Sequence, residues 1–417
     1  MAKNKKRKII SSAIVGNIVE YYDFGIYAVY ASTIGKLFFP ASSPFIQALA
    51  ALSVFAIGFL MRPIGGMVFG HIGDIVGRKT ALTISILGMA ISSVMIGFLP
   101  DYATIGVMAP ILLVIIRLFQ GLCIGGEGAG SAIFIMEHLE GYKPGVIGSI
   151  VMASNMIGTL FANFMGIAIL YVVGDTDYNW RIGFLLGGLM GTIGIYMRTH
   201  LTETPLFTEA KKNNEIVKFP LLTVIKNSGL RLLLVGSLGG MTAAVAYMIR
   251  GYFNTFFHDV LHYTRDQTMY FTSFSLGTMI LALPFFGMIA DRIGYRKFLY
   301  KISYLLILFV VPIFLLITNE SHNLLYVGIG LFLYGILAAA VCAPAYPYAI
   351  SAFSPEYRYS GVGFSWNVGI ALFGGTTASI SHILCDITGS IIAPAFYIIF
   401  MVSVFLFVTV LTRKDKH

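Results

Sequence analysis

The sequence predicts an all-α polytopic membrane protein with twelve transmembrane helices in two six-helix halves. Three observations carry this prediction. The 417 residues are 57% hydrophobic and 11% charged, whereas a soluble globular chain is about 25% charged. Lysines and arginines crowd into alternate connections between long apolar runs. One loop sequence also recurs half a chain later.

An apolar run of roughly 20 residues is long enough to cross about 30 Å of hydrocarbon as helix. The candidate spans are roughly 9–39, 44–70, 80–99, 106–136, 145–173, 180–198, 229–257, 268–290, 298–318, 323–350, 361–383 and 389–412. The longest of them imply tilt or helices that reach into water. No small-residue cleavage site follows the first run, so it is expected to remain as a helix rather than leave as a signal peptide.

The basic residues fix the orientation. With the N-terminus inside, 22 of the 28 lysines and arginines fall in inner connections and only 3 (Lys36, Arg181 and Arg265) in outer ones. Arg62, Arg117 and Arg250 lie within spans. Both termini are therefore expected in the cytoplasm, and the net charge of +9 is a topology signal. The "KNKKRK" start reads as an anchor beside anionic lipid, and no nucleic-acid partner is expected. Cys123, Cys342 and Cys385 lack any CxxC spacing and read as packing residues. His258 and His262 stand four apart without a third ligand nearby. No metal, cofactor or obligatory protein partner is expected.

"GHIGDIVGRKT" begins at Gly70, and "GMIADRIGYRK" begins 217 residues later at Gly287. Gly70, Ile72, Asp74 and Gly77 recur in register as Gly287, Ile289, Asp291 and Gly294. The longest polar stretch, "THLTETPLFTEAKKNNEIVKFP", lies between them. The expected division is therefore a first half over residues 1–199, a cytoplasmic linker over 200–227 and a second half over 228–417. Duplicated halves that rock about a central site are a common transporter design.

These residues resemble the major facilitator superfamily. The loop from Gly70 to Thr80 matches its best-known motif. The copy at Gly287 is weaker, with Tyr295 where an Arg is usual. "RLFQGLCIGGEGAG" resembles the fourth-helix motif that carries a buried Arg. The match narrows to the metabolite:proton symporter family through "EYYDFGIY", "RPIGGMVFGHIGDIVGRK", "GGEGAG...ME", "WRIGF", "ETPLF" and "SPEYRYSGVGFSWNVGIALFGG", spread over nearly the whole chain. Members of that family carry proline and betaine, shikimate, α-ketoglutarate or citrate into bacteria with protons. The resemblance implies the major facilitator fold in a bacterial inner membrane. Osmosensing members end in a long coiled coil, while this sequence closes on "TRKDKH", which tilts the expectation away from osmosensing.

Glu20 and Asp23 interrupt an apolar stretch and share a helix face. A carboxylate at that depth costs several kcal/mol if charged, so it pairs, faces water or holds a proton. Both are candidates for proton coupling, against the plainer reading that they only bond neighbouring helices. Arg117 and Glu127 in the fourth span complete the coupling set. Ten residues of helix set them about 15 Å apart, off a common face, so they are not expected to pair with each other. Arg117 is expected to meet Asp23, Glu20 or a substrate carboxylate, and the resemblance ties the matching Arg to proton coupling. Around Glu127, the glycines let helices pack closely. Arg62 reads as structural.

The resemblance also implies that Asp74, Gly77, Arg78 and Lys79 form a gate-stabilising latch, with Asp291, Arg292 and Arg296 as its second-half counterparts and Glu137 and Arg358 as partners. Ordinary charge anchoring competes for the same residues. Arg250 stands alone in the seventh span. It is expected to line the central cavity and to bind an acidic group through its planar fork of donors, unless it snorkels or pairs structurally. Asn367, Gln120 and Tyr22 join it as expected substrate contacts.

The expected function is a proton-driven importer of a small organic acid or zwitterion. A proline/betaine-type osmolyte symporter and a non-transporting sensor on a carrier fold are the alternatives. No nucleophile–base set or metal cluster suggests an enzyme. "GSIVMASNMIGTLFANFMG" lacks the Pro usual in the fifth helix of drug antiporters.

Overall fold

A computed structural model of the chain describes residues 2–40, 44–139, 141–174, 176–319 and 323–412. The basic positions Arg413, Lys414 and Lys416 lie outside the described residues. The fold is all helical. Hydrocarbon offers no partner for a backbone N–H or C=O, so the apolar runs satisfy those groups within each helix.

Ten helices among the described residues are long and apolar enough to cross a membrane. They are Arg78–Phe98, Met108–His138, Pro144–Val173, Asn179–Thr199, Pro220–Val260, Asp266–Ile293, Tyr295–Ile317, Leu324–Ser351, Arg358–Thr388 and Ala393–Leu411. Ahead of them run Ala2–Val29, continued past a break at Tyr30 by Ala31–Phe38, and Pro44–Ile75. At 28 and 32 residues, these two also have the length to cross. In chain order the twelve are spans one to twelve. Large apolar side chains such as Leu60, Phe98, Val172 and Leu281 are exposed, the surface expected of a chain solvated by lipid.

The spans depart from regularity at particular residues. The linker is not extended: Pro205–Lys212 is a helix, started by Thr204, whose side chain accepts from the Phe207 N–H, with Pro205 in its first turn. Span seven begins at Pro220, inside the predicted linker, and crosses a non-helical Ser228. Pro has no N–H to lose at a helix start, which explains why the helix begins there despite its polar surroundings. Span seven carries π-helical turns at Met248–Tyr252 and Phe256–Val260, and span eleven one at Ile370–Gly374.

The chain forms two compact units. Unit 1 comprises Met1–Glu140, Ser154–Thr223 and Pro355–Phe364; unit 2 comprises Gly141–Ala153, Val224–Ser354 and Ser365–His417. Each unit thus takes most of one sequence half and a short segment of the other. In unit 1, spans two and four approach so closely that a Cβ on Gly121 would strike the Gly58 carbonyl, and one on Gly125 the Arg62 carbonyl. Every charged side chain that is buried among the described residues belongs to unit 1.

Candidate functional site

Span one sets the polar axis of unit 1. Asn17, Glu20, Asp23 and Tyr27 are spaced three or four apart, so they line one face of the helix. Each meets a different neighbour. Asn17 accepts from the Ser131 hydroxyl at 2.7 Å and donates to Ser154 at 3.2 Å. Glu20 pairs with Arg62 of span two at 3.2 Å, and the Arg62 guanidinium lies near the Phe24 and Phe59 rings. Asp23 accepts a 2.5 Å hydrogen bond from the Ser93 hydroxyl of span three. Tyr27 offers its ring face to Arg117 of span four, 3.5 Å from guanidinium carbon to centroid.

Arg117 and Asp23 do not form a direct ion pair. Arg117 lies on Tyr27 and donates through Nη1 to Gln120 Oε1 at 2.6 Å. Gln120 Nε2 donates to Ser93 Oγ at 3.3 Å, and Ser93 donates to Asp23. A relay of two neutral side chains therefore joins the two charges. Glu20, the other carboxylate considered for Arg117, is taken by Arg62. Asp23 Oδ1 and Arg117 Nε and Nη2 are buried with no hydrogen-bond partner among the described residues. Among the other buried carboxylates, Asp74, Glu127 and Glu137 have both oxygens engaged.

Glu127 is held by Arg198 of span six through both guanidinium Nη atoms, and by the Ser85 hydroxyl at 2.9 Å. Arg198 also donates to the Leu82 carbonyl at 2.5 Å. By sequence alone Arg198 is one of the 22 inner basic residues. Spacing along one helix does not reveal what stands on the facing helix, and no signal in the sequence marked the pair. Tyr22 gives its hydroxyl to the Gly183 carbonyl at 2.9 Å and is fully buried. Gln120 is occupied by Arg117 and Ser93.

The repeated loops build two similar clusters. In unit 1, Asp74 accepts from the backbone N–H groups of Tyr359 (3.2 Å) and Ser360 (2.8 Å), in the first turn of helix Arg358–Gly369. A carboxylate there satisfies donors that have no intrahelical partner and complements the helix dipole. Arg78 lies 3.4 Å from Asp74 and 3.3 Å from Glu137, and it donates to the Pro355 carbonyl at 2.7 Å. Arg358 reaches Glu137 at 3.3 Å. Gly77 has φ +142°, a region that favours glycine. The Lys79 N–H donates to Glu203, which caps span three from the "ETPLF" segment. Glu203 was not singled out by the sequence reading.

In unit 2, Asp291 accepts from the N–H groups of Gly145 (2.7 Å) and Val146 (3.1 Å), in the first turn of span five. Tyr295 donates to Asp291 at 2.8 Å, four residues on, the position that Arg78 holds relative to Asp74. Gly294 has φ +90°. The departure from the usual Arg thus keeps a hydrogen bond and drops a charge. Arg292 is exposed and forms no ion pair among the described residues.

Arg250 sits in the π-helical turn Met248–Tyr252, partly buried, its guanidinium carbon 4.3 Å from the Tyr247 ring centroid. Asn367 is buried three residues before the π-helical turn of span eleven. Such turns widen the backbone locally and recur at functional sites.

Comparisons with known proteins agree along the length of the chain. The family model described as "Sugar (and other) transporter" matches residues 9–218, and that of the Major Facilitator Superfamily matches residues 241–417. A proline/betaine transporter of Escherichia coli (strain K12) is 33% identical, the match covering 99% of this chain and 84% of the relative. The inner membrane metabolite transport protein YhjE of the same strain is 32% identical, covering 99% of this chain and 96% of the relative. Among solved structures, the proton:xylose symporter XylE superposes with a TM-score of 0.78 over 99% of this chain and 96% of its own, at 15% identity. That likeness is one of fold.

Proposed function

Because this chain belongs to the major facilitator superfamily, in its metabolite:proton symporter family, we propose that it couples proton entry to the import of a small organic acid or zwitterion. It is an integral membrane protein and a secondary transporter, not an enzyme. Its place is the cytoplasmic membrane of a bacterium with both termini inside, as the charge asymmetry of its loops favours and as the printed name of one relative supports.

One observation carries the coupling reading. Asp23 is a fully buried carboxylate with one oxygen bound to Ser93 and the other without a hydrogen-bond partner among the described residues, joined by a relay to a buried Arg117. In that setting a proton has a place to sit. Arg117, Gln120 and Ser93 sense whether it is there. Glu20 with Arg62, and Glu127 with Arg198, hold their charges in pairs and keep the surrounding helices in register. The Asp74 and Asp291 clusters hold the first turns of spans eleven and five on the cytoplasmic side. They release those turns once per cycle.

On the substrate side, Arg250 binds an acidic group, with Asn367 adding neutral hydrogen bonds. Arg250→Gln is expected to weaken binding of the preferred anion by at least about tenfold, the worth of one charge-assisted hydrogen bond. Arg250→Lys is expected to weaken it less. Titration calorimetry on folded protein reads both, and unchanged affinity in Arg250→Gln removes the anion role.

The names of the relatives favour a second reading, a proline/betaine-type osmolyte symporter. Betaine carries a fixed positive charge that Arg250 would repel, which ranks organic acids first. Liposomes holding the purified protein under an imposed inward proton gradient decide between them. Labelled carboxylates, proline and betaine are screened for uptake that collapses with a protonophore. Uptake of an organic acid is expected; gradient-driven uptake of betaine alone selects the osmolyte reading, and no gradient-driven uptake of any of them removes the proposal.

A further inference from the structure

The glycines of span four do more than let two helices approach. Tyr359, second residue of helix Arg358–Gly369, is fully buried in unit 1. Its N–H donates to Asp74, and its hydroxyl donates to the Gly126 carbonyl at 2.7 Å. A Cβ on Gly73 would collide with the Tyr359 ring, and one on Gly130 with its hydroxyl. The ring therefore occupies a socket walled by glycines of spans two and four. The Gly126 carbonyl belongs to the residue before Glu127, whose carboxylate Arg198 holds. One residue thus meets a gate carboxylate through its backbone and borders the Glu127–Arg198 pair through its side chain.

We propose that Tyr359 is a positioning residue of the transport cycle, a bolt that seats between Gly73 and Gly130 when the first turn of span eleven docks. Seated, it keeps water from Glu127 and Arg198; withdrawn, it admits water to them. The inference rests on the transporter reading above, and its test separates the two.

Three variants of the full chain grade the seat. Tyr359→Phe keeps the ring and loses the bond to Gly126. Tyr359→Ala empties the socket, and Gly130→Ala fills it against the ring. Hydrogen–deuterium exchange over residues 124–138, read without substrate, reports water near Glu127 independently of transport. Exchange is expected to be fastest in Tyr359→Ala and Gly130→Ala. In Tyr359→Phe it is expected to rise by about fivefold, the worth of one net hydrogen bond. In liposomes, Tyr359→Phe is expected to change the maximal rate and the pH profile of uptake with KM unchanged, a split that simple packing does not produce. Wild-type exchange in Tyr359→Ala and Gly130→Ala overturns the bolt. If neither of these folds, wild-type exchange and pH profile in Tyr359→Phe overturn it. The expected exchange order in a protein without proton-driven uptake supports the bolt and removes the symporter reading instead.

Discussion

Asp23→Asn is expected to abolish uphill accumulation while leaving exchange of substrate across the membrane. Asn has nearly the shape of Asp and keeps an acceptor for Ser93, so the relay to Gln120 and Arg117 stays in place. It cannot gain or lose a proton. One coupled proton and a gradient of one pH unit supply about 1.4 kcal/mol, or about tenfold accumulation of a neutral substrate. The variant is expected to equalise the two sides and stop. Counterflow and gradient-driven uptake, measured on the same liposomes, read the two activities separately. Accumulation at the wild-type level in Asp23→Asn would show that the proton binds elsewhere.

Asp74→Asn is expected to give the second largest effect. The Asp74 carboxylate accepts from two N–H groups in the first turn of span eleven and lies 3.4 Å from Arg78. An amide loses the charge and one of the acceptor oxygens, while Arg78 keeps Glu137 as partner. Hydrogen bonds to charged groups are worth roughly 1.5–3 kcal/mol. The docked state is then expected to lose about ten- to a hundredfold in population. The maximal transport rate should fall far more than the affinity for substrate. Spin labels on the inner ends of the two sequence halves would report a shifted distance distribution, and an unchanged one would count against the latch. The same change at Asp291 is expected to cost less, because Tyr295 brings a neutral hydroxyl where Asp74 has a guanidinium.

What the sequence made legible follows from how far each signal reaches. Apolar run length and charge asymmetry are one-dimensional, and they predicted spans that the helices follow closely. They could not show the break at Tyr30, or the helix in the linker, which starts on the Thr204 cap. The face shared by Glu20 and Asp23 was readable from helical spacing. Their partners were not, because Arg62 and Ser93 are brought there by packing of other spans. Arg198 and Glu203 went unnoticed for the same reason: a charge near a loop looks like an anchor until the facing helix is known. Tyr295 was seen as a departure from a motif, and only the structure shows it donating to Asp291. Tyr359 sits in the "SPEYRYSGVGFSWNVGIALFGG" motif, yet its surroundings depend on glycines more than 200 residues away in sequence.

The central claim is that substrate and proton enter together. Its most direct measurement uses liposomes with no initial pH gradient, a pH-sensitive dye trapped inside, the membrane potential clamped, and the transported substrate added outside in excess. The account predicts that the lumen acidifies as substrate enters, at a rate set by substrate concentration, and that Asp23→Asn removes the acidification while substrate still equilibrates. Substrate entry by the wild-type protein with the lumen pH unchanged would contradict it.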